Sequence, residues 1–307
     1  MVPFILKRLL MAVPIFVGIT AVTFFLLNVV PGDPVTVMMK EHVDADVIAR
    51  VRAQMHLDDP PILRYFRFLN DFVFHGDLGY SYKLKRPVTD LIIGAFPYTF
   101  ALAVAAALVA WAIGIPAGVV SAVRQYSLVD YSAMTFALIG ISMPVFWSGI
   151  LMQYVFGYKL QILPLSGFEG IRSLIMPAIV LGWGSAASVS RLTRSSLLEV
   201  IRADYVRTAR AKGLREKLVI TKHALKNAML PVVTVMALQV SGLLSGAVIT
   251  ESVFGIPGVG RVSVGAIQGR DMPLLQGTVI FETLLVVLGN LAADIAYAFL
   301  DPRIRYD

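Results

Sequence analysis

The sequence predicts an all-α integral membrane protein. It has six transmembrane helices, an extracytoplasmic segment after the first, and a short cytoplasmic helix between the fourth and fifth. Three observations predict this. Of 307 residues, 57% are hydrophobic and 15% charged, where soluble domains have about 45–50% and about 25%; mean hydropathy is +0.74. The apolar residues gather in charge-free runs at 9–32, 91–123, 131–158, 173–190 and 227–250. A hydrocarbon core of roughly 30 Å takes about 20 helical residues at ~1.5 Å each, so every run meets or sits at the threshold for crossing. The basic residues, finally, divide between the two sides of the membrane in the way that fixes an orientation.

Residues 1–30 are read as a cytoplasmic N-terminus and first span. Lys7 and Arg8 precede the run as in a signal peptide, but the run is too long for one and no small-residue cleavage site follows. Pro31-Gly32-Asp33-Pro34 turns the chain instead. Residues 31–97 are the extracytoplasmic segment. Asp44 to Leu57 reads as a helix, with Val47, Val51 and Met55 on one face. Pro60-Pro61 breaks it, and Ile62 to Phe74 reads as a second amphipathic helix ended by His75-Gly76-Asp77-Leu78-Gly79, the whole forming a small cap. Residues 98–307 are the five-helix core. Pro14, Pro116 and Pro144 fall inside spans, where each is expected to kink the helix or free a carbonyl. Gly114/Gly118 and Gly242/Gly246 form GxxxG pairs of the kind that lets helices approach closely in lipid. The sixth span, 276–300, carries Glu282 and Asp294 toward its two ends; at mid-bilayer each would cost roughly 2.5–3.5 kcal/mol.

With the N-terminus inside, the inner segments 1–8, 124–130, 191–226 and 301–307 hold 15 of the 27 Lys and Arg residues. Eight of the others lie in 31–90, a segment long enough to cross largely regardless of charge. Both termini are therefore expected inside. The net charge of +7 reports this orientation rather than a nucleic-acid partner.

The inner segment 191–230 is basic but not featureless. Glu199 to Lys212 reads as a helix, Gly213 as its stop, Glu216 to Ala228 as a second helix, and Pro231 as the opening of the fifth span. A short helix offered to the cytoplasm has the shape needed to dock in a partner's groove. The competing reading is a tether lying on anionic lipid.

This stretch, Asp204-Tyr205-Val206-Arg207-Thr208-Ala209-Arg210-Ala211-Lys212-Gly213 followed by His223-Ala224-Leu225-Lys226-Asn227-Ala228, resembles the coupling-helix segment of dipeptide, oligopeptide and nickel ABC-importer permeases. Gly76-Asp77-Leu78-Gly79-Tyr80-Ser81, Thr250-Glu251-Ser252-Val253-Phe254, Gly255-Ile256-Pro257-Gly258-Val259-Gly260 and Leu300-Asp301-Pro302-Arg303 agree with it. One departure stands out: Arg207, Thr208 and Ala209 occupy the places where the broader importer pattern begins Glu-Ala-Ala.

The resemblance implies a coupling helix at 203–213, with Asp204, Tyr205, Arg207, Ala209, Ala211, Lys212 and Gly213 meeting the ATPase. It also implies a sister permease, two cytoplasmic ATPase subunits carrying ATP and Mg, and an extracytoplasmic solute-binding protein. The setting would be a bacterial or archaeal cytoplasmic membrane. The cargo would be di- or oligopeptides, with nickel chelates, glutathione or another small solute as alternatives.

The chain itself reads as no enzyme. It lacks cysteine, which removes disulfides, zinc thiolates and thiol catalysis. No Gly-Lys dipeptide exists, so there is no phosphate-binding loop. The four histidines are scattered outside the spans, and no HExxH or other metal motif occurs. Gly182-Trp183-Gly184-Ser185-Ala186-Ala187 matches a loose GxGxxA inside a span and is read as helix packing. A proton-coupled secondary transporter is the rival class, but such proteins carry inverted repeats and mid-membrane acids, and no repeat is visible.

Candidates for the path are Thr234, Ser241 and Ser245, spaced to share a stripe of about 40° on the fifth span, and Glu282, placed to meet a substrate ammonium. The competing readings are bonds to backbone carbonyls or helix contacts for the hydroxyls and plain hydration for the acid. Glu251, Gly255, Pro257, Gly258 and Gly260, with Arg261 beside them, are read as a re-entrant outer gate or an ordinary turn.

Overall fold

A computed structural model describes residues 2–29, 52–53 and 58–300. The first cap helix expected at 44–57 lies outside them apart from residues 52–53. Helix α1 (Val2–Val29) runs unbroken through Pro14. Helix α2 (Pro61–Asn70) passes into a π-helical turn, Asp71–His75, stopped by left-handed Gly76 (φ 65°). It packs along α1: Tyr65 donates from its hydroxyl to the Val17 carbonyl at 2.9 Å, and Phe72 stacks on Phe16 at 5.8 Å. A two-residue hairpin, β1 (Tyr80–Ser81) and β2 (Arg86–Pro87), leads into α3. Sequence periodicity gives no sign of so short a pair.

Helices α3 (Val88–Val123) and α6 (Arg172–Ile201) form the most extensive contact in the bundle. Glycine is required there. A Cβ on Gly114 would lie 2.7 Å from the Ala186 carbonyl oxygen, and one on Gly182 2.6 Å from that of Ala106. The other GxxxG has a different fate: Gly242 is exposed and faces open space. In its place Gly289 of the last helix receives Ser241.

The run 131–158 is not one straight helix. Helix α4 (Leu128–Ser142) and α5 (Val145–Met152, with a π-helical continuation Gln153–Lys159) meet at 105° across Met143-Pro144. Proline pushes the residue before it out of the helical region, and Met143 is extended (φ −81°, ψ 128°).

After α7 (Asp204–Ala211), a short helix Glu216–Leu218 and a π-helical turn Val219–Ala224 run directly into α8 (Leu225–Gly246). Pro231 is therefore interior to α8 and does not open it, a correction to the boundary expected at that proline. The bond it forfeits falls on the carbonyl of exposed Asn227. Helices α9 (Val248–Phe254), α10 (Val259–Gly269) and α11 (Met272–Leu300) complete the chain.

Among the described residues five helices are long and apolar enough to cross a membrane, and the bent α4–α5 pair brings the count to six if it is one span. Two packed clusters sit at opposite ends of the bundle. Leu78, Val88, Ile92, Val259 and Leu274 form one, and Leu197, Val206, Val219, Ala224 and Ala228 the other. Arg8 of α1 pairs with Asp294 of α11 at 3.0 Å, so the start of the first helix and the end of the last lie together.

Candidate functional site

Helix α7 is amphipathic and short. Val206 and Ala209 are buried against Leu197, Val219, Ile220 and Ala224. Asp204, Tyr205, Arg207, Ala211, Lys212 and Gly213 are exposed. The predicted docking residues thus share the outward side, except Ala209, which faces the bundle. The 3–4 residue spacing of an amphipathic helix puts Val206 and Ala209 on one side together.

Helix α7 is also clamped at both ends. Tyr205 accepts a bond from the Asn227 side chain at 2.8 Å. Arg210 donates from Nε and a terminal nitrogen to Glu216 at 3.1 and 2.7 Å, and more weakly to the Ile201 carbonyl at 3.4 Å. Left-handed Gly213 (φ 74°) ends the helix, as its place in the sequence predicts.

Beside this end lies a site that the sequence does not reveal. Asp130, buried, receives two bonds from Arg194 at 2.8 and 2.7 Å. It also accepts from Ser121 Oγ and from the Tyr126 backbone N–H at 3.0 Å. The bidentate fork ties the start of α4 to α6 and the end of α3. The two residues lie 64 apart in sequence, and nothing local marks them as partners.

At the opposite end Glu251 is fully buried. Its carboxylate accepts from Thr99 Oγ1 at 2.7 Å and from the Arg261 backbone N–H at 3.1 Å. Thr99 in turn accepts from the Val259 backbone N–H at 2.9 Å. The first amides of α10 are thereby satisfied by one acid and one hydroxyl, a favourable place for negative charge. Gly258 lies so close to the carboxylate that a Cβ there would collide with it. Gly255 takes a left-handed φ of 67° against Ser166, and its carbonyl accepts from the Arg261 guanidinium at 2.5 Å. Pro257 sits in the turn between α9 and α10. Gln153 donates to the carbonyls of Leu165 and Val253 at 2.7 and 3.0 Å, and the Gly167 N–H to the Phe254 carbonyl at 2.8 Å. These bonds fasten the loop before α6 onto α9. Four of the five predicted gate residues, Glu251, Gly255, Gly258 and Gly260, therefore meet in one knot.

The path candidates are dispersed. Thr234 and Ser245 donate to their own helix, to the carbonyls of Leu230 (3.2 Å) and of Ser241 and Gly242 (3.4 and 3.3 Å). Ser241 is buried against Gly289 with no hydrogen-bond partner among the described residues. Glu282 is half-buried on α11 and makes no hydrogen bond or ion pair among the described residues.

Residues 1–103 match the N-terminal component and residues 114–306 the main component of the family described as the binding-protein-dependent transport system inner membrane component. The chain belongs to this family. It is a permease of the ABC-importer type. It is 40% identical to the dipeptide transport system permease protein DppB of Escherichia coli (strain K12), over 100% of this chain and 99% of that one. It is 38% identical to the oligopeptide transport system permease protein AppB of Bacillus subtilis (strain 168), over 100% of both. Among solved structures, the inward-facing MetNI methionine ABC transporter superimposes with a TM-score of 0.59 at 19% identity, covering 69% of this chain and 96% of that one. At that identity the superposition speaks for the permease fold. The multi-pass permease is thus an inner-membrane component.

Proposed function

We propose that this permease lines the path of an ATP-driven importer of di- and oligopeptides, the cargo named for its DppB and AppB relatives. It would do so beside a sister permease, with two cytoplasmic ATPase subunits that hold ATP and Mg and an extracytoplasmic binding protein that delivers cargo. The observation that carries this reading is α7. It is a short helix with a polar exposed side, an apolar anchored side and a bond at each end. Switching a two-state machine from 1:99 to 99:1 takes about 5.5 kcal/mol of differential stabilisation. A clamped helix can pass such a bias to the bundle, and a loose tether cannot.

Six crossings with both termini inside fit the internal bonds. The bent pair starts at Asp130, tied to Arg194 near the end of α6, and finishes at Gln153, tied to Val253 beside the start of α6. These bonds toward the two ends of α6 support reading the bent pair as one span. Arg8–Asp294 then joins the two inner ends of α1 and α11. The Glu251 knot fastens the outer ends together.

The test is uptake. Proteoliposomes carry the complex that co-purifies with this chain, with ATP on the ATPase side and the binding protein on the other. They accumulate labelled alanyl-alanine. Complex assembly without accumulation of any peptide contradicts the reading.

A further inference from the structure

We propose that the surface around Arg210, where α7 ends and the next turn begins, is a basic seat with two apolar pegs, Leu214 and Leu218, that fits an acidic rim and apolar slot on the ATPase subunit; this rests on the docking reading above. Residues 202–217 carry six cations and two acids. Both acids are taken, Asp204 by Arg207 at 3.6 Å and Glu216 by Arg210 at 2.7 Å. Arg202, Lys212, Arg215 and Lys217 are exposed and have no ion pair or side-chain hydrogen bond among the described residues. Glu199, the next acid back along the chain, pairs with none of them. Arg210 gathers these cations. Its guanidinium holds both the Ile201 carbonyl and Glu216. Arg202, Arg215 and Lys217 are the chain neighbours of those two groups, and Lys212 is two residues from Arg210 itself. Left-handed Gly213 turns the chain between Lys212 and Leu214.

The leucines mark a protein contact. Leu214 and Leu218 are 36% and 42% exposed, although the next two residues, Val219 and Ile220, are buried with Val206 and Ala209 of α7. A core is at hand, and these two side chains stay outside it. Apolar residues ringed by cations supply the apolar centre and charged rim of a protein–protein contact. Anionic lipid is the rival occupant, and height decides against it. The charge-free run of α4 begins after Asp130 and that of α6 stops at Arg191, one turn before Arg194, the partner of Asp130. That level marks the edge of the hydrocarbon. Ile201 lies about 15 Å beyond Arg191 along α6 at ~1.5 Å per residue, whereas a headgroup layer is about 5–7 Å thick. Leu218 stands roughly 10 Å along the chain's helical turns from Lys226, where the run 227–250 opens. The seat therefore hangs clear of the lipid. With four unpaired cations it attracts a partner that carries acids and repels one that carries bases.

The test is the affinity of the purified ATPase subunits for the permease pair in nanodiscs of phosphatidylcholine, a lipid without net charge, read at about 50 and about 300 mM NaCl. The unsubstituted pair binds several-fold more weakly at the higher salt, because salt screens exposed charges. This measurement needs no variant and so cannot be confused with misfolding. Arg215→Glu combined with Lys217→Glu binds about tenfold more weakly at low salt, the worth of two exposed ion pairs, and loses most of its salt dependence. Leu218→Ser binds about tenfold more weakly at both salts, since apolar burial is not screened. Lys85→Glu, in the hairpin turn at the opposite end of the bundle, changes neither. Affinity of the unsubstituted pair that ignores salt, or a charge-reversed pair that binds as its parent does, overturns the seat and leaves docking on α7 intact. A loss that appears only when phosphatidylglycerol is added to the nanodiscs gives the cations to lipid and also overturns it. ATPase subunits that never bind the unsubstituted pair overturn the docking reading instead.

Discussion

Two buried carboxylates hold the two ends of the bundle, and they are kept by different means. Asp130, at the α7 end, is gripped by the Arg194 guanidinium through two bonds. Glu251, at the other end, has no ion pair among the described residues. Its partners are a threonine hydroxyl and the opening amides of α10, while the nearby Arg261 guanidinium goes to the Gly255 carbonyl. An ion pair fixes two helices at a point but leaves a charge stranded when one partner is removed. A carboxylate on a helix terminus spreads its bonds over neutral donors, so losing one costs less. The contrast is between a joint held by one ion pair beside the proposed docking helix and a knot whose bonds are spread over neutral donors.

Asp130→Ala breaks the comparison most severely. It leaves Arg194 partly buried without its counter-charge and costs about 3 kcal/mol. The fraction of chain recovered folded and monodisperse in detergent falls steeply, and Asp130→Asn, which keeps one acceptor, falls less. A smaller effect is expected at the knot. Glu251→Gln keeps an acceptor for Thr99 but places an amide against the N–H groups of α10, costing about 1–2 kcal/mol, read as a lower thermal midpoint. Should Glu251→Gln prove more damaging than Asp130→Ala, the contrast drawn between the two ends is wrong. The smallest stability effect belongs to α7's outward side. Arg207→Ala stays within about 0.5 kcal/mol of the parent, yet lowers peptide uptake per ATP hydrolysed. Unchanged stoichiometry in that variant removes Arg207 from the docking surface.

The spans are legible in the sequence because a charge-free run of membrane length is seldom anything but a buried crossing helix. The stop at Gly213 is legible because one residue type favours a left-handed C-terminal turn. The features that stay hidden depend on distant parts of the chain. Gly114 and Gly242 sit in the same motif, yet one is locked against Ala186 and the other faces open space; only the neighbouring helix distinguishes them. Asp130 and Arg194 look like ordinary loop charges because their pairing is tertiary. Pro144 announces a disturbance, but the size of the bend depends on how α5 packs against α6. Sequence adjacency groups Ala209 with the docking residues, whereas its burial follows from the helical phase shared with Val206. A family likeness and a Gly-Pro pattern pick out the residues read as a gate, but neither says that Glu251 is the hub of their bonding.

The most direct measurement uses the absence of cysteine. Lys212→Cys places a single thiol of this chain just past the exposed end of α7. A membrane-impermeant maleimide leaves it unlabelled in intact cells, labels it in inside-out vesicles, and is blocked there when the ATPase subunits are bound. Labelling from outside intact cells, or labelling in vesicles unaffected by the bound ATPase, contradicts a cytoplasmic docking helix.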